Sequence, residues 1–224
     1  MGEWLNNGPG GNRTYLAVPP SGTGPGVLVL HAWWGLTPSF ADACDRLAAN
    51  GFVALAPSLY PDGATTASIG EAEALAGALF DALEETDAVV LAAAEGLQQL
   101  PATTGDQMGV IGFSLGGFWA LRLSQARPDA VSAVVTVYST GEADFSQARA
   151  AYLGHFAEQD DFEPPEAVQA LEGAIRSAGR EVTFHVYPGT GHWFAEPDRP
   201  DAYDADAAAL VWERTLAFLK ARLA

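Results

Sequence analysis

Apolar positions along the chain alternate between two kinds of pattern. Val27-Leu28-Val29-Leu30 is an unbroken apolar run, which suits a strand covered on both faces of a parallel sheet. Phe40 to Asn50 instead carries its apolar residues at helical spacing and stops at Gly51, a helix-ending residue. The same exchange continues to the end of the chain. Strands are predicted over 13–18, 52–55, 108–111, 130–137, 152–156 and 182–186, and helices over 69–83, 87–97, 115–125, 165–177 and 205–223. Strands alternating with helices of about 10 to 15 residues predict an α/β fold with a mostly parallel, doubly wound sheet. No linker or internal repeat interrupts it, so one domain over 1–224 is expected, with 1–12, rich in Gly, Asn and Pro, irregular.

Composition narrows the class. Against 28 acidic residues stand 11 Lys and Arg, a formal charge of −17, and the basic residues form no cluster. Such a field repels nucleic acid, so no nucleic-acid partner is expected. Cys44 is the only cysteine, which excludes an intrachain disulfide and a cysteine-based zinc site. The opening residues lack a basic segment followed by an apolar core, so no secretory signal is expected. Apolar runs stop well short of the ~18 residues of a membrane helix. These features predict a cytoplasmic protein with no membrane partner; a monomer or small homo-oligomer is expected.

Chemistry is suggested first by Gly112-Phe113-Ser114-Leu115-Gly116, a G-x-S-x-G pattern between a predicted strand and a predicted helix. Chance gives roughly 0.1 such matches in a chain of this composition, and the strand-turn-helix setting sharpens the signal. In a nucleophile elbow the small residues flanking the serine let strand and helix approach, and the helix N-terminus faces a developing oxyanion. The bland alternative is a glycine turn kept for packing. A P-loop is excluded because Lys220 is the only lysine, and a haloalkane dehalogenase would need Asp at position 114.

A serine nucleophile requires a base and a carboxylate that orients it. Of four histidines, His31 and His155 fall in or beside predicted strands, and His185 reads as a core histidine inside an apolar strand. His192 follows Tyr187-Pro188-Gly189-Thr190-Gly191, read as a loop beyond the last strand, where a side chain can reach the sheet edge. Acid candidates between Ser114 and His192 are Glu158, Asp160 and Asp161 after one strand, with Glu142 and Asp144 after the preceding one. Spacing does not separate Asp160 from Asp161.

From about Arg13 onward the residues resemble the dienelactone hydrolase family of α/β-hydrolases. The likeness rests on Val29-Leu30-His31-Ala32-Trp33-Trp34-Gly35-Leu36, Ala56-Pro57-Ser58-Leu59-Tyr60-Pro61, the Gly112 to Gly117 elbow, and the segments around Asp160 and His192. The resemblance implies an α/β-hydrolase fold without a large cap domain and a catalytic Ser114, His192 and Asp160. Asp160 is preferred because the family's acid is followed two residues later by an apolar residue and then by Pro, as in Asp160-Asp161-Phe162-Glu163-Pro164. It also implies an oxyanion hole from the backbone N–H groups of Leu115 and Trp33, and needs no cofactor or metal.

Three departures bear on chemistry. Where dienelactone-opening members carry Cys and an activating Glu, this chain has Ser114 and Ala32, so the proton would pass directly to His192. Where such members hold the substrate carboxylate with an arginine four residues after the histidine, this chain has Glu196. Finally, no Lys or Arg occurs between Arg46 and Arg122. A small neutral ester or lactone is therefore the expected substrate. Trp34, Tyr60, Phe113 and Trp193, with Trp33, are candidate pocket rings, for each of which core packing is the equal alternative. Rival readings are a hydrolase of anionic dienelactones, carboxymethylenebutenolidase-like, and a non-catalytic α/β-hydrolase-fold ligand-binding protein.

Overall fold

The structure, a computed structural model, describes residues 2–8 and 11–223. Internal contacts divide the chain into two compact units, Met1–Val110 and Ile111–Ala224.

The first unit carries β1 (Glu3–Leu5), β2 (Thr14–Ala17), β3 (Gly24–Leu30), β4 (Val53–Pro57) and most of β5 (Thr103–Phe113), in the order β1-β2-β4-β3-β5. β3 and β4 are parallel, with Leu28 opposite Leu55, whereas β1 with β2 and β2 with β4 are antiparallel. Val27 to Leu30 and all of β4 are buried, as an unbroken apolar run requires. Helix α1 (Pro38–Ala49) buries Phe40, Ala41, Cys44, Leu47 and Ala48, the one-sided stripe that its periodicity predicts.

Three expectations are corrected in this unit. Residues 1–12 are not wholly irregular, because Glu3–Leu5 pairs with β2; its only apolar signal is Trp4 and Leu5, too short to show a period. Met1, Pro9 and Gly10 of that stretch lie outside the described residues. The helix expected to end at Leu83 stops at Asp81, and Ala82 (φ −112°, ψ 50°) separates α2 (Ile69–Asp81) from α3 (Leu83–Gln99). β5 starts five residues before the apolar run at Met108, since Thr103 to Gln107 are partly or fully exposed and give no hydrophobic signal.

The second unit takes the last residues of β5, then α4 (Leu115–Ala126), β6 (Val131–Val137), β7 (Ala151–Gln159), α5 (Pro165–Ser177), β8 (Val182–Gly191) and α6 (Ala205–Leu223). β6, β7 and β8 are parallel, in the order β5-β6-β7-β8. These three strands therefore end at one edge, followed by Tyr138, Asp160 and His192, and Ser114, next after β5, bonds to Val137 at the end of β6. Such carboxyl edges are where open α/β sheets place their ligands. β8 runs five residues beyond the predicted Val186, so Tyr187 to Gly191 is strand, not loop. It is held by pairing with β7, through an irregularity between Ala157 and Gln159 that brings Gln159 opposite Gly191. The mixed α/β class predicted from the alternation is the class found.

Candidate active site

Ser114 caps α4 at the end of β5, with φ 46° and ψ −117°. This backbone region is costly for a residue with a Cβ and is held by its surroundings. The Ser114 N–H donates to the Val137 carbonyl at 2.9 Å, and the Ser114 carbonyl accepts from the Gly117 N–H at 2.8 Å. The elbow needs Gly112, where a Cβ would collide with the Gly116 carbonyl and the Gly117 backbone. Leu115, the first residue of α4, presents a backbone N–H that has no carbonyl one turn earlier to bond within the helix.

Ser114 Oγ lies 2.9 Å from His192 Nε2, and His192 Nδ1 lies 2.7 Å from Asp160 Oδ2. The side chains of His192 and Asp160 are 5% and 2% exposed, so this relay is shielded from bulk water over most of its length. Asp160 Oδ1 accepts the backbone N–H groups of Phe162 (3.0 Å) and Glu163 (3.1 Å), which fix the carboxylate. Asp161 is exposed. Glu158 is also exposed and accepts the Gly189 N–H, while Glu142 and Asp144 are exposed, Asp144 accepting from Ser146. Of the five acid candidates, Asp160 is the one that meets His192. An oriented imidazole between a hydroxyl and a carboxylate can take the serine proton and return it.

Three rings surround the imidazole. Tyr138 lies 4.8 Å away between centroids, Phe162 4.9 Å and Trp193 4.9 Å, the last edge-on at 87°. Tyr138 (φ 40°) and Trp193 (φ 66°) join Ser114 among the four non-glycine residues with positive φ in the described chain. Sequence reasoning overlooked Tyr138 and Phe162. Nothing in the spacing marks Tyr138, and the only trace of Phe162 was its place two residues after Asp160.

Glu196, four residues after His192, turns inward: it is 1% exposed, and its Oε1 accepts the Tyr138 hydroxyl at 2.6 Å. Burial pushes its carboxyl up to about 8, with the nearby Asp198 adding to the rise and Tyr138 and Arg199 opposing it. At neutral pH it is therefore largely protonated and presents no full charge to a substrate. Glu163, bonded to the Thr140 hydroxyl, is likewise raised by burial.

The remaining histidines are accounted for. His155 is fully buried, with Tyr187 Oη 2.8 Å from Nδ1 and Thr215 Oγ1 3.1 Å from Nε2, and burial lowers it to about 3. His185, expected in the core, is only half-buried and stacks on His155; it lies on β8, which pairs on one side only. In the first unit His31 is buried, with Nδ1 donating to the Ala32 carbonyl (2.6 Å) and Nε2 accepting the Leu59 N–H (2.9 Å). Burial lowers it to about 4. The Tyr60 hydroxyl donates to the Trp33 carbonyl at 2.7 Å, so the turn holding Trp33 is tied to the residues after β4. Trp34, Tyr60 and Phe113 are buried in their own units, whereas Trp33 and Trp193 are half-exposed. Among the described residues, no group of three or more His, Cys, Asp or Glu is arranged to hold a metal ion, and no helix is long and apolar enough to cross a membrane.

Comparison with known proteins points the same way. The chain is 32% identical to "Protein usf" of Aquifex pyrophilus, over 93% of its own length and 92% of that protein's. It is 31% identical to a protein of Aquifex aeolicus named "Putative carboxymethylenebutenolidase", over 94% of each. Its fold matches a solved structure described as "m3DLH" with a TM-score of 0.90 at 24% identity, covering 100% of this chain and 99% of the other. The family model for dienelactone hydrolases matches residues 13–223. The chain thus belongs to the dienelactone hydrolase family and is a hydrolase of ester or lactone bonds.

Proposed function

We propose that the chain is a serine hydrolase that cleaves small neutral carboxylic esters or lactones through an acyl-enzyme. Ser114 Oγ attacks the carbonyl carbon while His192 Nε2 takes its proton. Asp160 holds the Nδ1 proton and stabilises the imidazolium. The tetrahedral intermediate then expels the alcohol, which receives the proton from His192. A water activated by the same base releases the acid and restores Ser114. The observation that carries this reading is the relay of 2.9 and 2.7 Å from Ser114 through His192 to Asp160. The backbone N–H of Leu115 is a proposed oxyanion donor, supplying about 3 kcal/mol in the transition state. Trp193, partly exposed and edge-on to His192, is the proposed pocket ring of this unit. The enzyme acts on a small molecule in the cytoplasm as a monomer or small homo-oligomer, with no nucleic-acid partner.

The preference for a neutral substrate rests on two features of the sequence. Residues 47–121 carry no Lys or Arg, and position 196 lacks the arginine that would pair with a substrate carboxylate. The name of the Aquifex aeolicus relative favours the other reading, hydrolysis of an anionic dienelactone. Comparing kcat/KM for p-nitrophenyl acetate with that for a carboxylate-bearing lactone separates the two: we expect the neutral ester to be preferred, and a strong preference for the lactone overturns the substrate assignment. A serine-directed phosphonate is expected to label the wild type and not Ser114→Ala. An unlabelled wild type would favour a ligand-binding protein without turnover.

A further inference from the structure

Both nitrogens of His192 are engaged, Nδ1 by Asp160 and Nε2 by Ser114, and these two bonds leave the ring free to tilt about the line joining them. Its tilt depends on the rings packed around it, Tyr138, Phe162 and Trp193. Phe162 is 53% exposed and Trp193 partly exposed, and each offers a soft support. Tyr138 is fully buried and held on several sides: its N–H donates to the His155 carbonyl at 2.6 Å, its ring meets Phe194 edge-on at 5.5 Å and Phe113 at 6.4 Å, and its hydroxyl donates to Glu196 Oε1. Tyr138 also directly follows Val137, whose carbonyl accepts the Ser114 N–H, so one short segment touches both nucleophile and base.

Two features here are costly without a return. A bulky aromatic residue occupies φ 40°, and a carboxyl is buried with Oε2 lacking any hydrogen-bond partner among the described residues. A Phe–Leu pair would fill the same space without burying a carboxyl. What the phenol and carboxyl add is one fixed direction for the Tyr138 ring.

We infer that Tyr138 and Glu196 form a buried positioning pair that holds the His192 imidazole in line with Ser114, Tyr138 being the buried ring packed against it and Glu196 the anchor of that ring. The inference rests on the Ser114–His192–Asp160 reading above. Because burial keeps Glu196 largely protonated at neutral pH, the pair acts through geometry and not through charge. Its charged and titratable neighbours are Asp198 and Arg199 on its own segment, with Asp160 and His192 facing Tyr138.

Steady-state hydrolysis of p-nitrophenyl acetate tests the pair. Tyr138→Phe and Glu196→Leu are expected to lower kcat about tenfold with KM within about twofold, as for a base displaced by a fraction of an ångström. Glu196→Gln, whose amide oxygen still accepts the phenol, is expected to keep kcat within about twofold. Tyr138→Phe deletes one oxygen and carries the test even where Glu196→Leu fails to fold. Unchanged kcat in Tyr138→Phe overturns the inference, as does a Glu196→Gln loss equal to that of Glu196→Leu. Ser114→Ala in the same assay distinguishes the underlying reading: if it retains full turnover, the triad itself fails and the pair with it.

Discussion

Asp160 divides its two carboxylate oxygens between tasks. Oδ2 takes His192 Nδ1, and Oδ1 takes two backbone N–H groups that keep the side chain from rotating away. Asp160→Asn replaces an acceptor with an amide of similar shape whose N–H₂ favours the wrong imidazole tautomer. A fall in kcat on the order of 10³ to 10⁴ is expected with little change in fold, whereas Asp161→Asn, at an exposed neighbour, is expected to leave kcat unchanged. Steady-state kinetics on the two variants checks this. Asp160 and Asp161 were indistinguishable by spacing. Their difference lies in which way each side chain points as β7 ends, and that is set by pairing with β8.

At the scale of elements, the elbow is a packing constraint. Strand β5 and helix α4 pass so closely at Gly112 that a methyl group there would overlap backbone, which cannot yield as a flexible side chain does. Gly112→Ala is expected to destabilise by about 3 kcal/mol or to prevent folding. Gly173→Ala, on the exposed face of α5 with open space around it, is expected to stabilise by about 0.5–1 kcal/mol. Urea denaturation of both variants separates backbone overlap from helix propensity. Apolar patterning located α5 and α6 to the residue, since each has a helical stripe and, in α5, a proline start and a glycine beyond its end. It missed β1, the first half of β5 and the end of β8, whose residues are exposed or polar and become strand only because a neighbour offers its hydrogen bonds.

For the molecule as a whole, the charge of −17 coexists with buried groups whose titration shapes stability. Glu196 is raised to about 8 in the folded chain and returns near 4.5 when unfolded. The native state therefore binds the extra proton, and this contribution is complete below about 4.5 and is lost as pH rises through about 8. His31 and His155, lowered to about 4 and about 3, have the opposite sense: their contribution is present above about 6.5 and is lost as pH falls toward those values. Wild-type stability relative to Glu196→Gln is expected to fall by up to about 1.4 kcal/mol per pH unit between about 4.5 and 8. Chemical denaturation at a series of pH values checks it, and parallel stability curves would mean that Glu196 is ionised in the native state. The sequence by itself determined the α/β class, the positions of most helices and buried strands, and the strand-serine-helix turn, because these depend on periodicity and on residues within a few positions of one another. Only the tertiary structure decided that Asp160, preferred by the resemblance but not by spacing, meets His192, that Glu196 turns inward onto Tyr138, and that His185 is half-buried while His155 is fully buried. Those pairings join residues 32 and 58 positions apart, and strand register, not local pattern, sets which side chains face each other.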